Sequence, residues 1–320
     1  MTRPIIGRVV PEQWRSTGAT APGQRTVGEP GTARIAVDLL GGDQAPAVVV
    51  DGALRALEDD PALHLTLVGP AEAADAVLRA LHPAQRHRIT VVPGGTTAEA
   101  VAAGLADALV SAGDTAVTVV SAARALGRWP GIRRPPLAAV LPTAAGRLIL
   151  LDVGSTVDPD EATLAVHARL GAAYAVAVHG IPDPRVGLLT IGSERGKGDR
   201  LRRAAALLLE DLPLRYAGLV EGGDVVRGTA ADVVVTDGFT GNVLLKALET
   251  AYSGQQRDET RAAVLLGVAG IVVVCHGAAT GADLAGGIAF AADLHRRASL
   301  AAVIALLTST MLSYNEVSHE

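Results

Sequence analysis

The sequence predicts an α/β fold in which a mostly parallel sheet is covered by helices on both faces (α/β/α). Three observations lead there. Aliphatic runs alternate with amphipathic ones along most of the chain, as in successive strand–helix units. Hydrophobic residues make up 49% of the 320 residues but aromatic ones only 2%. The core must therefore be built of Ala, Val, Leu and Ile, which suits strands buried on both faces. Glycine-rich turns also recur where aliphatic runs end, the edge at which such sheets bind ligands.

The alternation begins with a strand over 34–40 and a helix over 47–58, with Pro46 fitting a first helical turn. It continues with strand 63–68, helix 72–81, strand 88–92, helix 98–105, a short strand 108–111 and helix 116–126. Runs 137–141 and 148–153 read as strands, followed by a helix over 160–171 that stops at Gly171. Strand 186–191, helix 200–211, strands 214–219 and 232–236 and helix 242–250 come next. A last strand, 271–275, precedes a long alanine-rich helix, and no internal repeat of fixed period is present. The length exceeds the comfortable size of one core. We expect a single α/β unit over 33–312, built as one large body or as two interlocked lobes, a mobile Gly/Pro/Thr/Arg-rich leader at 1–32 and a short tail at 313–320.

Composition excludes several classes. So few aromatics leave no stacking platform for single-stranded nucleic acid. The net charge of -5 disfavours a polyanion partner. One cysteine, Cys275, rules out an intramolecular disulfide and a cysteine-based metal cluster, and fits a reducing cytoplasm. The N-terminus shows no apolar core followed by a small-residue cleavage site, and the stretch 298–312 is too short and interrupted to span a bilayer. No metal-ligand spacing stands out.

The turns that matter are Gly41-Gly42-Asp43, Gly113-Asp114-Thr115, Gly154-Ser155-Thr156, 192–198, 237–242 and His276-Gly277. None makes a Rossmann fingerprint: the first strand runs into Leu-Leu-Gly-Gly-Asp-Gln-Ala-Pro. The 192–198 turn, Gly-Ser-Glu-Arg-Gly-Lys-Gly, is one residue short of a P-loop. Its backbone amides and Lys197 still suit a phosphate. Cys275 and His276 are adjacent on a strand and so face opposite ways, which makes them a poor nucleophile–base pair. Cys275 reads as a small core residue and His276 as a site candidate. Only two of the 28 Lys and Arg side chains are lysine, Lys197 and Lys246. Both lie in or just beyond glycine-rich turns, which suggests a need for a compact ammonium on a flexible stem.

At this point the motifs resemble the acyl-ACP:phosphate acyltransferase family of bacterial phospholipid synthesis (PlsX-type). The resemblance rests on Ile-Ala-Val-Asp-Leu-Leu-Gly-Gly-Asp-Gln-Ala-Pro (35–46), Leu-Val-Ser-Ala-Gly-Asp-Thr (109–115) and Leu-Leu-Asp-Val-Gly-Ser-Thr-Val-Asp (150–158). It continues through Lys-Gly-Asp (197–199), Asp-Gly-Phe-Thr-Gly-Asn (237–242) and His-Gly (276–277). It implies a dimeric fold akin to phosphotransacetylases and isopropylmalate dehydrogenases. It also implies attack of inorganic phosphate on an acyl thioester of acyl carrier protein, without metal or nucleotide. By match of motif, Lys197, Asn242, Lys246 and His276 belong to the phosphate or reacting-carbonyl region. Gly41, Gly42 and Asp43 shape a facing wall. Gly113, Asp114, Thr115, Asp237, Gly238, Phe239, Gly241 and Gly277 complete the binding set.

The chain departs from the family's pattern in four places. Asp114 stands where the family has asparagine, Ala278-Ala279 stand where it has two serines, and 93–100 lacks its basic group. A long helical excursion used for dimer contacts and membrane association is reduced to 251–264. Weak or absent membrane association is therefore expected. Three readings stay open: a phosphate acyltransferase for a specialised acyl donor, an acyltransferase with an amine or hydroxyl acceptor, and a non-catalytic carrier-binding relative.

Overall fold

A computed structural model describes residues 31–252 and 262–317 of the chain. The expected leader, the shortened excursion and the end of the tail lie wholly or mostly outside these residues. The strands are β1 Ala33–Asp38, β2 Leu63–Val68, β3 Ile89–Val92, β4 Ala108–Ser111, β5 Leu137–Thr143, β6 Gly146–Leu151, β7 Val186–Leu189, β8 Tyr216–Val220, β9 Val233–Val235, β10 Ala262–Leu265 and β11 Ile271–Cys275. The helices are α1 Ala47–Asp59, α2 Ala71–Ala80, α3 Thr97–Ala102, α4 Thr115–Ala125, α5 Glu161–His179, α6 Arg200–Glu210, α7 Gly222–Arg227, α8 Gly238–Tyr252, α9 Gly281–Arg296 and α10 Ser299–Val317. All the strands join one sheet in the order β3-β2-β1-β4-β11-β10-β5-β6-β9-β7-β8.

Helices cover both faces, as the sequence predicts. Apolar side chains of α1, α2, α5, α6, α9 and α10 form one core layer, with Ile35, Val37 and Val235 from the sheet. Those of α3, α4, α7 and α8 form the other, with Ala36, Leu109 and Val234. The alternation of layers along each strand is the period-two signature of a doubly covered sheet.

Strand direction decides where a site can sit. β3, β2, β1, β4 and β11 run parallel. β10 is antiparallel to β11 and to β5, and β5 is antiparallel to β6. β6, β9, β7 and β8 are again mutually parallel, but they run opposite to the first five. Ser111, Val274, Ala263, Ala139, Leu150 and Val234 share one row across the middle. The C-terminal strand ends of the two parallel groups therefore face opposite edges of the sheet.

Several elements differ from the sequence expectation for identifiable reasons. α5 runs through Gly171 to a left-handed cap at Gly180 (φ 68°). Gly171 is a contact glycine rather than a stop: a Cβ there would lie 2.7 Å from Val233 Cγ1 and 2.9 Å from Leu151 Cδ2. α8 starts at Gly238, four residues earlier than read, so part of the glycine-rich turn is itself helix. β10 and the short α7 were not expected. β10 is set by its pairing to β5 and β11, and α7 by reciprocal capping between Glu221 and Asp224. The alanine-rich C-terminal helix is two helices, with Ala298 at φ 51° between them.

His179, at the end of α5, lies edge-on to the Tyr174 ring at 5.1 Å, and its Nε2 is buried without a partner among the described residues. Burial first, then the nearby Arg147 and Arg297, pushes its pKa down to about 4. An unfolded histidine titrates near 6.5. Between those values the unfolded chain binds a proton that the folded chain lacks, so this stability term is full above pH ~6.5 and is lost as pH falls toward ~4. Allowing for partial exposure of the ring, the loss is about 1–2 kcal/mol. Denaturant midpoints of the native protein and His179→Gln should converge as the pH is lowered through this window. Parallel curves would contradict it.

Candidate functional site

The first cluster sits at the C-terminal ends of β6, β9 and β7. Asp152, fully buried, accepts backbone N–H groups from Leu137 (3.1 Å), Gly154 (3.1 Å), Ser155 (2.9 Å) and Thr156 (2.6 Å). Four donors on one carboxylate fix the Gly154-Ser155-Thr156 turn. Burial pushes the Asp152 carboxyl up, against the pull of His167 and these amides. His167 is also fully buried, and burial holds its ring below its ordinary pKa. It donates from Nε2 to the Arg134 carbonyl at 2.9 Å. Ser155 Oγ donates to the Pro135 carbonyl at 2.6 Å. These contacts hold the 133–136 strap beside the turn, where Arg133, Arg134, Asp158, Pro159 and Asp160 line a cavity of about 480 Å³.

α8 enters this edge at close range. Gly238 N donates to the Thr156 carbonyl at 2.7 Å. A Cβ on Gly238 would lie 2.7 Å from that same oxygen, and one on Gly241 would lie 1.9 Å from the Asp152 carbonyl oxygen. Asn242 Nδ2 donates to the Val153 carbonyl at 2.9 Å. Gly154 (φ 145°) must be glycine both for its backbone and because a Cβ would come within 2.8 Å of that nitrogen. Asp237 caps α8, accepting from Thr240 N (2.8 Å) and Thr240 Oγ1 (2.7 Å), and pairs with Arg202. Its burial would raise the carboxyl, but Thr240 and Arg202 together hold it below its usual range. Lys197 lies in the turn after β7, with its side chain half exposed and Nζ 3.9 Å from Glu194. Lys246 is exposed one turn beyond Asn242 on α8. Phe239 (63%) and Val243 (55%) are exposed on the same helix, with Val157 (62%) and Ile191 (86%) on the neighbouring turns, an apolar rim beside the cations.

The second cluster sits at the C-terminal ends of β1, β4 and β11. Ser111 Oγ donates to Asp38 at 3.1 Å and accepts from Gly113 N at 3.1 Å. Gly41 packs against this pair: a Cβ there would meet Asp38 Oδ2 and Gly113 N, each at 3.0 Å. Asp43 N donates to the Gly277 carbonyl at 2.8 Å, crossing from the first turn to the last. Gly42 (φ 110°) backs the same carbonyl, with a Cβ there placed 3.3 Å from it. Thr115 opens α4 immediately after Asp114. His276 is exposed, its Nδ1 accepting from Ala278 N at 3.2 Å, while Cys275 beneath it is buried with its thiol pushed up to about 12. Cys275 is thus buried where His276 is exposed.

Asp114 is exposed at this edge. It caps α4, accepting from Val117 N at 2.8 Å. Asn has equal capping power and Ala has little. Asp114→Asn should therefore change stability by only a few tenths of a kcal/mol and Asp114→Ala should cost about 1 kcal/mol, measured by denaturant unfolding. An equal cost for both would show that charge, not capping, is what the position supplies.

The structure brings Lys197, Asp237, Gly238, Phe239, Gly241, Asn242 and Lys246 to one edge. It brings Gly41, Gly42, Asp43, Gly113, Asp114, Thr115, His276 and Gly277 to the other. Strand rise and spacing put the two groups on the order of 20 Å apart within one chain, so His276 is not gathered with the lysines. Sequence reading did not single out Asp152, His167 or Arg202. Asp152 was part of a quoted motif, but an apolar run ending in Asp does not show that its carboxylate collects four amides. Arg202 sits in a helix with two other arginines, Arg200 and Arg203, among apolar neighbours and gave no local signal. Among the described residues no metal-holding group of His, Cys, Asp or Glu is present, and no helix is long and apolar enough to cross a membrane.

A doubly covered α/β sheet of this order is a phosphotransacetylase-like fold. The fold bears this out: a phosphotransacetylase from Streptococcus pyogenes superposes with a TM-score of 0.62, covering 82% of this chain and 94% of that one at 20% identity. A branched-chain phosphotransacylase from Enterococcus faecalis V583 superposes with a TM-score of 0.58, covering 82% and 99% at 17% identity. At such identities these likenesses speak for fold alone. In sequence, the chain matches the family described as "Fatty acid synthesis protein" over residues 33–96 and 95–255. It is 41% identical over 234 residues to the phosphate acyltransferase of Bacillus mycoides (strain KBAB4) and 40% identical to that of Bacillus thuringiensis (strain Al Hakam). Both alignments cover 68% of this chain and 71% of the relative. The chain belongs to this fatty acid synthesis protein family, that of the phosphate acyltransferases.

Proposed function

We propose that the protein transfers an acyl group from an acyl-carrier-protein thioester to inorganic phosphate, releasing acyl phosphate and the free carrier thiol. The observation that carries this reading is the joining, at one sheet edge, of the Lys197 turn and the helix bearing Asn242 and Lys246. Lys197 and Lys246 hold the phosphate. A phosphate oxygen attacks the thioester carbonyl carbon, the carbonyl oxygen takes up negative charge, and the C–S bond then breaks to release thiolate. Asn242, oriented by Val153, has a second amide hydrogen for that oxygen. Phosphate is nucleophilic at neutral pH, so positioning replaces a general base. The apolar rim of Val157, Ile191, Phe239 and Val243 suits an aliphatic acyl chain. His276 and the Gly41-Gly42-Asp43 turn fall outside the phosphate-holding set because of their distance.

The family resemblance further supports a cytoplasmic homodimer, while the departures from the family's pattern, the shortened 251–264 segment among them, support weak or absent membrane association and a specialised acyl donor. The test is to mix the purified protein with acyl carrier thioester, with and without phosphate, and identify products by mass spectrometry. Acyl phosphate formed only with phosphate is expected. Thioester consumption that requires an added amine or alcohol, or none at all, would refute the reading. Light scattering in solution and vesicle co-sedimentation check the dimer and the absence of membrane binding.

A further inference from the structure

We propose that Arg202 is a positioning residue of this anion edge, which offsets the charge of Asp237 and clasps the Lys197 turn to the start of α8. The inference rests on reading that edge as a phosphate site. The Arg202 side chain is 11% exposed. Its guanidinium donates to Asp237, to Thr236 Oγ1 and Thr240 Oγ1 (3.2 Å each), to Asp199 Oδ2 (2.8 Å) and to the Leu189 carbonyl (3.4 Å). These acceptors come from four segments: the end of β7, the N-cap of α6, the residues after β9 and the first turn of α8. Lys197 lies between the first two and Asn242 follows the last. The turn also closes on the Arg202 stem. Gly198 (φ 92°) is so placed that a Cβ would lie 2.7 Å from Arg202 Cβ and 2.8 Å from the buried, unpartnered Thr190 Oγ1.

The charge argument is separate from the clasp. Asp237 caps α8, so its carboxylate stands at the helix start where an anion is to bind, and like charges at that range repel. Pairing with Arg202, which Asp199 shares, offsets part of the cap's charge beside Lys197 and Lys246. Two other arginine–aspartate pairs show what a purely structural clasp looks like. Arg34 with Asp107 (2.7 Å) and Arg185 with Asp232 (2.8 Å) tie strand starts together, away from every glycine-rich turn.

The test compares Arg202→Met, Arg202→Lys, Asp237→Asn and the double variant Arg202→Met/Asp237→Asn in the full chain. Asparagine at 237 keeps the cap while removing the charge. Arg202→Met should raise the KM for phosphate about tenfold, with a smaller change in the KM for thioester. The double variant should return the phosphate KM to within about threefold of the native value, although it is the less stable protein, and Arg202→Lys should fall between. Amide hydrogen exchange of Arg202→Met should rise in 190–199 and 236–242 and stay unchanged in 108–115. An unaltered phosphate KM in Arg202→Met, or no recovery in the double variant, overturns the charge role. Exchange that is unchanged, or raised evenly along the chain, overturns the clasp. If the native protein forms no acyl phosphate, the functional reading fails by itself. The exchange pattern and phosphate binding followed by ³¹P line broadening then decide the role of Arg202 without turnover.

Discussion

Gly241→Ala is expected to lower stability by at least about 2 kcal/mol and to abolish acyl phosphate formation. Two effects oppose each other here. Gly241 lies inside α8, where alanine is the better helix former by about 1 kcal/mol. Against that, a Cβ would stand 1.9 Å from the Asp152 carbonyl oxygen and 3.0 Å from Thr236 Cγ2. The first neighbour is backbone and cannot rotate away, and overpacking of this kind costs about 3 kcal/mol or more. Relief requires α8 to lift off β6, which carries Asn242 away from Val153 and displaces Lys246. Gly180→Ala is the matched control. It lies in left-handed backbone with nothing within 4 Å of a Cβ, and should cost about 1 kcal/mol while sparing activity. The two variants are compared by denaturant midpoint and product formation. A Gly241→Ala protein as stable and active as the native one would contradict the docking of α8 on Asp152.

Lys197→Met should reduce kcat/KM for phosphate about a hundredfold while leaving stability nearly unchanged. The side chain is half exposed and its nearest carboxylate, Glu194, is 3.9 Å away, so little folding energy depends on it. Lys197→Arg should recover only part of the loss. The stem is confined against Gly192, where a Cβ would lie 3.2 Å from Lys197 Cγ, and a planar guanidinium does not occupy the place of a compact ammonium. Lys246→Met, at an exposed helix position, should lose about fivefold, as expected for a solvated charge. Steady-state rates at varied phosphate, set beside thermal unfolding of each variant, give the comparison. Full activity in Lys197→Met would remove that residue from the phosphate-holding set.

What the sequence could and could not disclose turns largely on glycine. The strand–helix alternation from β1 to α4 is legible because each element is long enough to show its own period. Glycine reads as punctuation, and at Gly42 and Gly154 the positive φ values justify that. At Gly171, Gly238 and Gly241 the same residue marks contact between a helix and the sheet below it. There the reading stopped α5 too soon and started α8 too late. β10 has only four residues and is defined by strands more than a hundred residues upstream and just downstream, so no local pattern announces it. The candidate residues lie in the turns after strands or, from Gly238 to Lys246, on the helix that follows one. Their division between two edges was not legible, because it depends on three antiparallel ladders whose direction no single segment encodes.

The place of β10 and β11 has a consequence for how the chain is made. Strands β1 to β4 and strands β5 to β9 never hydrogen-bond to each other. Within the sheet, among the described residues, they are joined by β10 and β11 at 262–275, which are synthesised late. Each earlier group therefore emerges with an unpaired flank, β4 on one side and β5 on the other, that must be shielded until the bridge arrives. The closing step is a long-range one, slow for its size, and one that couples the halves into a single cooperative melt. A nascent polypeptide arrested before residue 262 would display two sticky seams, a natural substrate for a chaperone.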